Sequence, residues 1–429
     1  MNSPGKATSD SKGRLRKHIE KLSNDIGIRN IENLHNYEKL KEAADYIYNS
    51  FKELAYEAEK YEFKATFNGN DFLVSNIEAY IKGDSKDTII IGAHYDTVKR
   101  SPGANDNGSG VACMLEIARQ LAPKNNQGRR PEKSIRFVAF PNEESPYSYD
   151  LTHHSLDTSR KAPKAAHRGP NMGSIQYAKQ IKAQMENGEI NVIGMICLET
   201  IGFYSDKADS QGFPDFCSLI SKWCPGKVTR FSPFKCFPQL RCGAWVFKCI
   251  YPTTGNFLLF ASNNKSAGFL NDCYENFDGN IRTGGFPKEK ISLPPCLVGD
   301  LGRSDHKSFW IHGMPAIMLT DTANFRHPED YHEPSDQSDK IDYVSLDEVT
   351  VNVELMIRKM IGYVSNVEDE VVLQQPSSSR RQSPIMIRSK AKSKTSEGNE
   401  TWTQPSSSDE SMQLLRGVKK KGKTNKKVK

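Results

Sequence analysis

Short, nearly unbroken apolar runs alternate along much of this chain with stretches whose apolar residues recur every three or four positions. The run DTIIIGA at 87–93 reads as a strand buried on both faces, and 110–121 as a helix with one apolar face. KSIRFVAFP at 133–141 predicts a second buried strand, followed by a helix near 175–186. EINVIGMICL at 189–198 predicts a third strand and PAIML at 315–319 a fourth. A helix over about 346–364 closes the patterned region, and upstream helical periodicity covers about 14–22 and about 37–60. Continuous apolar strands alternating with amphipathic helices predict an α/β fold, with a largely parallel sheet covered on both faces. No internal repeat interrupts the series.

Two stretches depart from this pattern. Residues 146–170 are rich in His, Lys and Ser, and residues 204–300 are rich in Pro, Gly, Cys and aromatics with few helix signals. Both are expected to be insertions in a domain spanning 13–365. Residues 1–12 are small and polar, and 366–429 are rich in Ser, Gln and Lys, so both ends are expected to be disordered. These dilute the hydrophobic content to 37% of 429 residues.

Charge changes the picture only once it is divided. The net charge is +7, but residues 380–429 alone hold 14 Lys/Arg against 4 Asp/Glu. The body is therefore slightly acidic, and the whole chain is not read as a nucleic-acid binder. The terminal GVKKKGKTNKKVK is a solvated tail, or alternatively a nuclear-import or polyanion-binding block. No run of 18 apolar residues exists to span a membrane, and the first thirty residues hold no apolar leader segment. Nine cysteines without a CxxC pair argue against a structural zinc knuckle and for reduced thiols, with Cys113 and Cys197 as core residues. The expected compartment is the cytoplasm, with the nucleus as alternative.

The chemistry sits where the apolar strands end. Ligands of open α/β sheets bind beyond the carboxyl ends of the strands. The first strand runs into His94 and Asp96, the second into Glu143 and Glu144, the third into Glu199. The loop after the fourth carries Asp321, Arg326, His327, Tyr331, His332 and Asp336, and PGANDNGSG places Asp106 just before a helix. Burying so many carboxylates without a cation is strongly unfavourable. Two His with several Asp/Glu and no Cys suit a hydrolytic zinc site with open coordination.

With these residues in place, the sequence resembles metallopeptidase family 28. The likeness runs through IGAHYDTVKRSPGANDNGSGVACMLEIAR, FVAFPNEESP, MGSIQYAK, CLETIG, RSDHKSFWIHGMPAIMLTDTANFRHPEDYHEPSD and the early LSNDIGIRN, covering roughly 13–365. That family contains co-catalytic di-zinc aminopeptidases and is related to glutamate carboxypeptidase and glutaminyl cyclase. The resemblance implies a three-layer sandwich, with a mostly parallel mixed sheet between helices, of zinc exopeptidase type. It implies two zinc ions, with His94, Asp106, Glu144, Glu199 and His332 as ligands and Asp106 bridging. It makes Glu143 the general base and Asp96 the acid that orients the His94 imidazole. Two zinc ions roughly 3.5–4 Å apart activate a water and polarise the scissile carbonyl, so a non-ligand carboxylate is needed for the proton.

The expected activity is exopeptidase cleavage of peptide substrates, most simply by an aminopeptidase. A glutaminyl cyclase-like acyltransferase with one zinc and a non-catalytic binding protein are the alternatives. Asp305 and His306 are expected either beside the site or at a helix start. His153, His154 and His167 are read as exposed loop residues, and His312 and His327 as structural.

Overall fold

Two residues in the left-handed region, Asn68 at φ 50° and Gly69 at φ 77°, turn the chain between the first two strands of one mixed sheet. A computed structural model of the protein describes residues 8–126, 129–148, 169–213, 251–277, 285–295 and 299–363. The strands are β1 (Glu57–Phe67), β2 (Asn70–Ile81), β3 (Asp87–His94) and β4 (Ser134–Phe140). They continue with β5 (Asn191–Leu198), β6 (Leu258–Asn263), β7 (Lys288–Leu293) and β8 (Ala316–Thr320). Their order in the sheet is β1-β2-β4-β3-β5-β8-β6-β7.

The four apolar runs expected from the sequence are β4, β3, β5 and β8. They pair in parallel at the centre of the sheet, so their carboxyl ends share one edge. From β3 the chain goes to β4 on one side and then to β5 on the other. That reversal opens a crevice above β3.

Helices α1 (Thr8–Glu20), α2 (Leu34–Glu53), α3 (Gly110–Leu121), α5 (Ala267–Asn276) and α7 (Tyr343–Met360) cover one face. Helices α4 (Gly173–Glu186) and α6 (His306–Ile311) cover the other. The reason β3 reads as an unbroken apolar run is visible in its packing. Ile89 and Ile91 enter the first core, and Ile90 between them enters the second. This is the three-layer α/β sandwich that the sequence led us to expect.

Three expectations need correction. The helix expected over 37–60 ends at Glu53, and the chain turns through Ala55 at φ 63° into β1. Strand β1 is an edge strand, mostly exposed, whose EAEKYEFKATF carries too little apolar pattern to separate it from a helix. Helix α1 begins at Thr8, ahead of the expected start, and a wider turn over Lys21–Ile26 follows it. Within 204–300, strands β6 and β7 with α5 between them extend the sheet beyond β8, β6 pairing antiparallel to it. The histidines at 153, 154 and 167, the cysteines at 217, 224, 236, 242, 249 and 296, and residues 364–429 lie outside the described residues.

Candidate metal centre

Each candidate side chain is delivered by a strand end or by the loop behind it. His94 is the last residue of β3, and Glu199 directly follows β5. Asn142, at φ 58°, turns the chain as it leaves β4, where Glu143 and Glu144 follow. Asp106 lies in the tight segment that leads into α3. His332, itself at φ 65°, sits on the loop after β8. Asn142 and His332 are two of seven non-glycine residues in this sparsely populated region among the described residues.

These side chains converge as two triads that share one carboxylate. His94, Asp106 and Glu199 bring ligand atoms within 4.8 Å of one another, and Asp106, Glu144 and His332 do the same. His94 Nε2 lies 3.2 Å from both Asp106 Oδ1 and Glu199 Oε2. His332 Nε2 lies 3.1 Å from Asp106 Oδ2 and 3.3 Å from Glu144 Oε1. Yet both Asp106 oxygens and both of these imidazole nitrogens are buried without an aligned hydrogen bond. Carboxylate oxygens and imidazole nitrogens that crowd together without aligned hydrogen bonds are the donor set a divalent cation requires. The residues fit a metal. Glu143 belongs to neither triad.

The electrostatics tell the same story. Burial alone would raise Asp106, but His332 and His94 outweigh it and hold this carboxyl well below the usual range. Burial opposes charge on His332, but Asp106 and Glu144 push it up to about 11. His94 is likewise driven well above its ordinary value, against burial, by Glu199, Asp106 and Asp96. Burial, reinforced by Asp106, lifts Glu144 to about 7. Each carboxylate thus favours positive charge on the imidazoles that face it, the charge a cation would supply.

Asp96 ties the ends of β3 and β4 together. Its two oxygens accept the backbone N–H groups of Glu143 (3.0 Å) and Glu144 (3.1 Å), and its Oδ1 lies 3.4 Å from His94 Nδ1. Further supports were not assigned from the sequence. Ser304 donates to Glu199 Oε2 at 2.7 Å. Asp336 accepts the N–H groups of Asn105 (2.7 Å) and Asp106 (3.0 Å). The Tyr331 ring stacks on His332 at 3.9 Å. Asp321 accepts from Thr200, Asn105 and the Phe203 N–H, which joins the β5 and β8 ends. Asp321, Tyr331 and Asp336 stood among the candidates of the loop after the fourth strand, but no partner for any of them could be read from the sequence.

His327 packs against Phe203 and approaches Asn105 Nδ2 at 2.8 Å, the structural role expected of it. His312 Nδ1 meets Ser308 O at 2.8 Å, closing α6. Asp305 precedes α6 but caps no N–H there, and His306 Nε2 meets Leu301 O at 2.6 Å.

A mixed α/β sheet that gathers carboxylates and imidazoles into adjoining triads at its strand ends defines a metal-dependent hydrolase class. Within that class, the profile of Peptidase family M28 matches residues 76–226 and 290–357, just over half of the chain. The chain belongs to that family.

The uncharacterized protein YfbL of Escherichia coli (strain K12) is 26% identical over 352 residues, 79% of this chain and 85% of its own length. Aminopeptidase YwaD of Bacillus subtilis (strain 168) is 33% identical over 136 residues, but these cover 30% of this chain and 29% of that protein. The LapA aminopeptidase of Legionella pneumophila superposes with a TM-score of 0.53 at 14% identity, over 85% of this chain and 76% of that one. That likeness is one of fold. Among the described residues no helix is long and apolar enough to cross a membrane.

Proposed function

We propose that the chain is a zinc-dependent aminopeptidase with two metal sites, His94–Asp106–Glu199 and Asp106–Glu144–His332, bridged by Asp106. The observation that carries this reading is the pair of triads sharing one carboxylate whose oxygens have no other partner. Three protein ligands with a position left open is the pattern of catalytic zinc. When bound, such a pair lowers the pKa of a water and polarises the substrate carbonyl.

The chain's own residues supply the rest. Glu143, outside both triads, acts as general base: it takes the proton of the attacking water and passes it to the leaving amine. The hydrogen bonds from its own N–H and that of Glu144 to Asp96 fix the Glu pair relative to His94, so base and ligands keep one geometry. Peptides with a free amino end are the proposed substrates, in line with the aminopeptidase names of YwaD and LapA. The free thiols of Cys113, Cys197 and Cys273 fit the reducing cytoplasm as the compartment.

The test is metal analysis of the full chain, combined with assays on free and N-acetylated aminoacyl substrates. Two zinc ions, cleavage of the free-amino substrates and loss of activity to a chelator are expected. One zinc with release of ammonia from N-terminal Gln peptides would make it a cyclase-like acyltransferase instead. A folded chain without zinc would make it a binding protein.

A further inference from the structure

Arg29 is the largest wholly buried side chain among the described residues, and every hydrogen bond of its guanidinium goes to a main-chain carbonyl. Its Nε donates to Tyr95 O at 2.6 Å, and its Nη1 to Leu22 O, Gly27 O and Pro102 O at 3.0, 3.0 and 2.7 Å. Its Nη2 donates to Gly103 O at 3.2 Å. Around it, the Arg29 backbone pairs with Thr97 in both directions. The cation thus grips Tyr95, just before Asp96, and the two residues that start the turn into Asp106, while the Arg29 backbone holds Thr97 on the other side of Asp96. It also lies in the field of Asp96, Asp336 and Asp106.

Asp106 makes this grip consequential. Its carboxylate oxygens face the imidazoles of His94 and His332 at 3.2 and 3.1 Å without an aligned hydrogen bond, so the hydrogen bonds that place the shared carboxylate are those of its backbone. Two charged groups hold that backbone from opposite polarities. Arg29 takes the carbonyls of Pro102 and Gly103, and Asp336 takes the N–H groups of Asn105 and Asp106. Gly103 between them sits at φ 64°, and a Cβ there would collide with the Asp106 carbonyl and with Thr97 Cγ2 at 2.5 Å. The segment has no slack. A lysine could not replace the arginine, because five donors in a rigid plane match carbonyls from three segments and one ammonium does not.

We infer that Arg29, with Asp336 opposite it, is a positioning residue of the metal centre that sets the geometry of the carboxylate shared by both sites. This rests on the two-site reading above. Because Asp106 belongs to both triads, loss of the clamp weakens both sites in parallel, by about 10–100-fold, as partners behind metal ligands do. Loss of a ligand such as Glu144 instead weakens one site first.

The test is zinc titration of the full chain against a competing chelator, with the folded fraction followed by circular dichroism, and the absorption spectrum of the cobalt-substituted protein. Arg29→Lys should stay folded, lose affinity at both sites together and change the cobalt spectrum. A variant with lowered melting temperature but wild-type zinc affinity and cobalt spectrum would reduce Arg29 to a packing residue and overturn the inference. Should Arg29→Lys not fold, Asp336→Asn releases the same segment from the other side and must show the parallel loss; wild-type affinity there overturns the inference equally. A wild-type chain that takes up no zinc overturns the two-site reading itself.

Discussion

Glu143 and Glu144 are neighbours in the chain and share the anchor Asp96, yet only Glu144 enters a triad. Replacing Glu143 by Gln should therefore leave zinc content intact and lower kcat by about 10²–10⁴-fold, the usual contribution of a general base. Glu144→Ala should lower zinc occupancy, which metal analysis of the dialysed protein reads directly. The opposite pattern would reverse the two roles. The raised values of His332 and Glu144, about 11 and about 7, make a second prediction. Each group binds its proton more tightly in the folded, metal-free chain than when unfolded. The stability this lends is present at low pH and lost as pH rises through those values. Zinc needs the deprotonated forms, so the thermal stabilisation it confers should grow between about pH 5 and about pH 9. A zinc-induced melting shift that shrinks over that range would contradict the assignment. The ligand candidates were legible because strand ends and residue types mark them locally. The supporting roles of Asp336 and Ser304 were not, because they reach Asp106 and Glu199 from 230 and 105 residues away; Asp336 stood among the acids of its loop, but nothing local named its partner.

Between residue and fold, the start of α3 decides how closely the Asp106 segment meets β5. A Cβ at Gly110 would fall against Asn107 Oδ1 and 2.5 Å from the carbonyl of Leu198, the residue before Glu199. Asn107 also donates to that carbonyl at 2.8 Å, so neither neighbour can move freely. Gly110→Ala should cost about 1–3 kcal/mol, the range for overpacking a dense interior, measured by denaturant unfolding. It should also weaken zinc binding, by pushing the Asp106 segment away from Glu199. Such contacts explain which elements the sequence discloses. The four central strands are buried on both faces and therefore nearly all apolar, a pattern visible without the fold. Strands β1 and β2 form a hairpin whose first strand is mostly exposed, and its charged residues hide the alternation. The one local mark was the Asn68-Gly69 pair, a residue combination suited to a two-residue hairpin turn. Strands β6 and β7 belong to the sheet through pairing with β8 and with each other, and short segments of that kind carry little signal of their own.

For the molecule as a whole, charge is divided more sharply than mass. Metal should act on the entire described fold, because its ligand candidates come from the ends of three central strands and two loops. A cation that binds only the native state stabilises it by about 2.7 kcal/mol at one hundred times its dissociation constant. Stripping zinc should thus lower the melting temperature of the whole chain in a single transition, and adding zinc back should restore it. The basic block behaves as a separate matter. Residues 380–429 carry 14 Lys/Arg and 4 Asp/Glu, and the remaining 379 residues carry 45 and 48. Polyanions are attracted by clustered Lys/Arg through counterion release, which makes binding steeply dependent on salt. A body with a slight negative excess has no such attraction to offer. All seven candidate residues, from His94 to His332, precede the block, as does the last described helix, which ends at Met360. A chain ending at residue 365 should therefore keep its zinc content, melting temperature and peptide turnover. It should also lack the salt-sensitive retention on heparin or DNA expected of the full chain. Retention that survives the truncation would place the polyanion site on the folded body, and lost turnover would show that residues 366–429 contribute to the active centre.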